Sequence, residues 1–190
     1  MTARDSSLVA SSSQTVGPFF QVGPGNTERF GRMAGPDTPG DHIRLRVRVL
    51  DGDGAPVADA LVELSQADAD GLPPQAVAQD AAPKAFTGFG RLGTNDEGWC
   101  VFETVRPGAH DTTDGREAGH VSVCLFARGL LRHLYTRIYF DGDPELDADP
   151  LLSIVPVGRR STLLASRLPD EAWEFIVRLQ GDRETVFFDL

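Results

Sequence analysis

His42-Ile-Arg-Leu-Arg-Val-Arg-Val-Leu50 is the stretch on which the fold turns. Ile43, Leu45, Val47 and Val49 alternate with Arg44, Arg46 and Arg48. Side chains of an extended strand point to opposite faces in turn, so this segment reads as a strand with one aliphatic and one cationic face. Asp51-Gly-Asp53-Gly54 follows as a turn. The same pattern recurs outward from it. Strands are expected at 60–66, 99–105, 120–127, 134–140, 174–180 and 185–189, and a loop rich in Ala, Pro and Asp at 68–84. Asn95-Asp-Glu-Gly98, Arg106-Pro-Gly108 and Arg128-Gly129 punctuate them. Asp149-Pro150 before Leu-Leu-Ser-Ile-Val predicts a short helix, with Asp as cap and Pro at the first position. Many short strands, Gly/Pro turns and no long amphipathic helix predict an all-β antiparallel β-sandwich. Residues 1–40, rich in Ser, Gly, Pro and Thr without a sustained period, read as an extended N-terminal arm, and 41–190 as the sandwich domain.

The bulk numbers limit what such a domain can bind. The 190 residues carry 18 Lys and Arg against 28 Asp and Glu, a net charge of −10. That balance repels phosphate backbones and anionic lipid, so neither nucleic acid nor a membrane surface is an expected partner. It repels an aromatic acid too, so such a substrate needs locally placed cations. The N-terminus lacks a signal-peptide core, and no run approaches the ~18 apolar residues of a membrane span, so a cytoplasmic location is expected. Cys100 and Cys124 sit in apolar runs and are expected as buried thiols rather than a disulfide.

Several strings imitate known sites. Gly88-Phe-Gly-Arg-Leu-Gly93 spells a dinucleotide fingerprint, but no helix follows to hold a pyrophosphate. Asp51 to Gly54 and Asp68-Ala-Asp70-Gly71 lack the later ligands of a calcium loop and read as turns. The four histidines, His42, His110, His120 and His133, form no close pair of the kind a strand-borne metal site uses. Tyr135, Arg137 and Tyr139 alternate on one strand face, read as an aromatic and cationic sheet surface.

Longer strings carry a resemblance. Residues 88–108, GFGRLGTNDEGWCVFETVRPG, and 42–71, HIRLRVRVLDGDGAPVADALVELSQADADG, resemble the intradiol ring-cleavage dioxygenases, as does 120–143. SQTVGPFF (13–20) and TVFFDL (185–190) resemble the α chains of two-chain, protocatechuate-cleaving members of that family. The resemblance implies the family's antiparallel sandwich. It also implies insertion of both atoms of O2 between the hydroxylated carbons of protocatechuate, giving 3-carboxy-cis,cis-muconate, with non-haem ferric iron bound by two tyrosines and two histidines.

Carried over one at a time, those four ligand positions fall at Pro73, His110, His120 and Ser122. Phenolates tune ferric iron in the family, and neither Pro nor Ser replaces a ligand. No metal ligand and no catalytic residue is therefore expected here, and Arg116, near the family's catalytic arginine but out of register, is given no role. The resemblance implies Fe(III) on a partner β subunit, within a hetero-oligomer of several α–β units. Thr15, Gly17 and Pro18 would line the partner's substrate pocket, and Arg128 would attract the substrate carboxylate. Ser65 stands where the family usually has Trp, which implies loss of a large buried aromatic. Two other readings stay open. One is a dioxygenase with substituted ligands, His110 and His120 among them. The other is a stand-alone transthyretin-like binding module. A neighbouring gene for a longer chain with two tyrosine ligands and an H-x-H pair would separate them from the first.

Overall fold

A computed structural model describes residues 12–17, 28–74 and 86–189. Ten strands dominate it: β1 (His42–Leu50), β2 (Leu61–Gln66), β3 (Phe89–Gly93), β4 (Trp99–Val105), β5 (His110–Thr112), β6 (Gly115–Glu117), β7 (His120–Phe126), β8 (Leu134–Phe140), β9 (Leu164–Arg167) and β10 (Ala172–Arg178). Eight of them form one continuous order, β3-β2-β7-β8-β9-β10-β1-β4, and β5 and β6 pair separately. β9 bonds to both β8 and β10, so it carries the chain from one half of the sandwich to the other.

The two halves close on one core. Leu45, Val47 and Phe175 from one side meet Val62, Leu64, Val123 and Ile138 from the other. Each such side chain, wholly withdrawn from water, contributes roughly 1.5–3 kcal/mol. Phe140 of β8 meets Trp173 of β10 edge-on at 5.0 Å. Buried Gln66 ties the halves with polar bonds, donating to Val105 O at 2.9 Å and accepting from Thr104 Oγ1 at 2.9 Å. On the outer face of β1, Arg46 and Arg48 lie 4.6 and 5.1 Å from the Trp99 ring, as the alternation predicts.

One turn is built three times. Asp51, Asp68 and Asn95 each accept, through Oδ1, the amides two and four residues on. A glycine with positive φ closes each turn: Gly54 (81°), Gly71 (78°) and Gly98 (78°). The helix expected after Asp149 is α1 (Pro150–Ile154), with the Asp149 side chain accepting from Leu152 N.

The structure corrects several expectations. The sandwich is mixed rather than wholly antiparallel, because β1 pairs with β10 and β8 with β9 in parallel. The 88–93 string is strand β3 on β2, and its glycine has a packing reason. A Cβ on Gly90 would sit 2.8 Å from Met33 and 2.9 Å from Phe102. Residues 185–189 form no strand. The β8 edge at Tyr139 and Phe140 is taken by β9, leaving only the bridge from Tyr135 to Phe188. Residues 28–36, part of the composition-defined arm, pack on the sandwich. Met33 is fully buried and its amide donates to Glu103 O at 2.8 Å. Ser65 is exposed on the outer sheet face, so an aromatic there would sit on the surface and not in the core. Cys100 and Cys124 are both free.

Candidate functional site

Strand β7 carries a polar cluster at each end. At its start, Gly119 lets the chain cross another backbone closely, since a Cβ there would lie 2.1 Å from Pro107 O. That crossing brings His120 beside His110, ring centroids 5.7 Å apart, with His120 also 5.6 Å from the Tyr139 ring. Glu117 is the hub. Its Oε2 accepts from Arg137 Nη1 at 2.8 Å and lies 3.8 Å from Nε2 of both His110 and His120. His120 Nδ1 donates to Ala118 O at 2.9 Å, which directs the other ring nitrogen at Glu117. Burial first, then the Arg137 charge, lowers the His120 pKa below the ordinary imidazole value. Burial pushes the Tyr139 hydroxyl well up. That hydroxyl donates to Asp149 Oδ1 at 3.2 Å, and the fully buried Asp149 also takes the Ala118 amide at 3.0 Å.

The opposite end of β7 is built differently. The β2–β7 register pairs Leu61 with Phe126. Continued by two residues, it sets Asp59 across from Arg128, whose Nε donates to Asp59 Oδ2. Next to it, the Gly129 amide donates to Thr15 Oγ1 at 2.8 Å, joining residues 114 apart in the chain. Thr15 thus bonds the residue that follows Arg128 in the chain. Gly17 is exposed, and no described atom lies within 4 Å of where its Cβ would be. Pro18 lies outside the described residues.

A family model described as "Dioxygenase" matches residues 16–171. The protocatechuate 3,4-dioxygenase alpha chain of Burkholderia cepacia is 41% identical over 94% of this chain and 96% of its own length. The chain belongs to the intradiol dioxygenase family. The alpha chain of Pseudomonas putida is likewise 41% identical, and the B. cepacia beta chain is 37% identical over 66% of this chain and 56% of its own. The fold matches the 3-chlorocatechol 1,2-dioxygenase of Rhodococcus opacus 1CP, with a TM-score of 0.63 at 21% identity over 89% of this chain and 71% of that one.

Intradiol dioxygenases use non-haem iron, which requires a donor set to be tested against these residues. The four positions expected of ligands do not fit it. Pro73 has no donor, and Ser122 stands opposite Arg137 across the β7–β8 ladder. His110 and His120 both face a carboxylate that already holds a guanidinium. A fixed cation at the centre repels a second one, and no phenolate faces the site unencumbered. Among the described residues, no group of three or more His, Cys, Asp or Glu stands ready for a metal. Nor is any helix there long and apolar enough to cross a membrane. The thiols are poor nucleophiles. Burial pushes Cys100 far up, and burial followed by Glu63 pushes Cys124 up to about 11.

Sequence reasoning missed Glu117, Asp149 and Asp59 as members of these clusters. Arg137 carried a signal in its alternation with Tyr135 and Tyr139, and Asp149 carried one as a helix cap but not as a partner of Tyr139 and Ala118. The partners of the others are set by strand register and by a backbone crossing that no local pattern encodes.

Proposed function

We propose that this chain is the non-catalytic α subunit of a protocatechuate 3,4-dioxygenase, completing the substrate pocket of an iron-bearing β subunit. The observation that carries the proposal is the Glu117–Arg137 pair, which lies against His110 and His120, two of the four positions to which the family's ligands carry over. The similarity to named alpha chains over nearly the whole length supports the same reading. On this reading Thr15, Gly17, Pro18 and Arg128 would line the partner's substrate pocket. Arg128 supplies the local cation that an anionic aromatic acid needs on a chain of net charge −10. The Gly129 amide holds Thr15, and through it the arm, beside that cation. Substrate protocatechuate and O2 are consumed in the hetero-oligomer, at Fe(III) held by the β chain. Two free thiols favour a reducing, cytoplasmic setting.

Metal analysis with a visible spectrum, on the chain alone and on the chain with its β partner, tests this. Iron and a tyrosinate-to-iron band are expected only with the partner. Stoichiometric iron and ring cleavage by the chain alone would overturn the proposal.

A further inference from the structure

Arg128 is expected to meet the substrate, but an arginine on a surface turn is a poor receptor unless something fixes its plane. A guanidinium carries five N–H donors in a rigid fork, on a long side chain that samples many rotamers. Asp59 engages one of those donors, at the Nε edge. Among the described residues the Nη groups have no hydrogen-bond partner, and the side chain is 60% exposed. Both backbones beneath the pair are anchored. Ala127 is buried, and so is Ala60, whose amide donates to Thr94 Oγ1 at 3.0 Å. That hydroxyl in turn donates to Val57 O at 2.6 Å, pinning the turn that carries Asp59. An exposed ion pair of this kind adds little to stability, so folding does not account for the pairing.

We propose that Asp59 is a positioning residue, holding Arg128 by its Nε edge so that the two Nη groups present a preformed fork to the substrate carboxylate. The proposal rests on the reading of Arg128 given above. Holding the fork in advance removes rotamer entropy that binding would otherwise cost. It acts on the carboxylate end of the substrate only, and so on affinity rather than on the ring-cleaving step.

The test uses the assembled α–β complex with Asp59→Ala, Asp59→Asn, Arg128→Ala and the double variant Asp59→Ala/Arg128→Ala. The readouts are KM and kcat for protocatechuate and for catechol, which lacks the carboxylate, and the anaerobic Kd for protocatechuate from the iron absorption. Asp59→Ala is expected to raise KM and Kd for protocatechuate by about three- to tenfold, with kcat and the catechol KM within about twofold. Asp59→Asn keeps an acceptor for the Nε–H and should recover most of that loss. The double variant should bind no more weakly than Arg128→Ala, because both changes act on one contact. A KM for protocatechuate that stays level or falls in Asp59→Ala, while Arg128→Ala raises it, overturns the positioning role alone. An equal loss with catechol does the same. An Arg128→Ala complex with unaltered affinity overturns both the role of Arg128 and that of Asp59. Size-exclusion profiles matching the parent complex separate each result from failed assembly.

Discussion

The clusters at the two ends of β7, at His120 and just beyond its last residue at Arg128, roughly 26 Å apart at ~3.3 Å per residue, use polar groups in opposite ways. At the His120 end the cluster closes on itself. Glu117 faces Arg137 and two imidazoles, and Asp149 takes two amides and the Tyr139 hydroxyl; Glu117, His120 and Asp149 have little access to water, while His110 and Arg137 are half-buried. At the Arg128 end the cluster is open, with one guanidinium edge used and the rest in solvent. A closed network spends most of its hydrogen-bonding capacity within the chain and serves stability; among these groups only the buried His110 Nδ1 lacks a partner. An open one contributes little to stability and keeps donors for something outside the chain. On the proposed reading, the positions that correspond to the family's ligands fall in the closed cluster, and the recognition group in the open one.

That contrast can be broken by mutation. The largest effect is expected for Asp149→Ala, which strands the Ala118 and Leu152 amides and the Tyr139 hydroxyl in the interior. It should cost about 3–5 kcal/mol and lower Tm by roughly 10 °C, read by calorimetry. Arg137→Met leaves Glu117, 14% exposed, without its cation. A loss of about 2 kcal/mol is expected, less than for a fully buried pair, and a urea midpoint equal to the parent's would contradict the closed network. Arg128→Ala reverses the pattern, with Tm within about 1 °C of the parent and KM for protocatechuate in the complex up by about tenfold. A large Tm loss there would make Arg128 structural and erase the contrast. Thr15→Val, removing the acceptor of the Gly129 amide, should raise the same KM by only about twofold.

The smallest effect is one of pH. Burial, then Arg137, holds folded His120 below its ordinary value, whereas the unfolded chain protonates near ~6.5. As pH falls below that point the unfolded state takes the proton first. Stability contributed by neutral His120 is therefore flat above ~6.5 and lost on the way down to the folded value. Urea midpoints between about pH 7.5 and 5.5 should fall less steeply in His120→Gln than in the parent. Parallel slopes would mean that His120 titrates as it does in water.

The strands that sequence reading found are those with one dry and one wet face. β1 is the clearest, because each of its three outward arginines sits between buried aliphatic residues. The short helix was legible because Asp149 and Pro150 act on their own backbone within one turn. β3 was missed because Gly90, required where Met33 and Phe102 press close, stands in a string that imitates a phosphate loop. β9 was missed because four residues joining two half-sheets carry too little alternation. Residues 185–189 were misread as a strand because local propensity cannot tell that a neighbouring edge is already paired.

What the sequence alone determined was the class of fold, the family, and the absence of phenolates and an H-x-H pair at the expected ligand positions. Each of these is a matter of residue type at a position. What only the tertiary structure decided was which charges meet. Glu117 reaches Arg137 because β8 runs beside β7, Asp59 reaches Arg128 through the β2–β7 register, and Thr15 reaches Gly129 across 114 residues. Hydrogen bonds form only within about 3.5 Å, and exposed charges are screened beyond about 8–10 Å, so separations of this size in the chain say nothing until folding closes them.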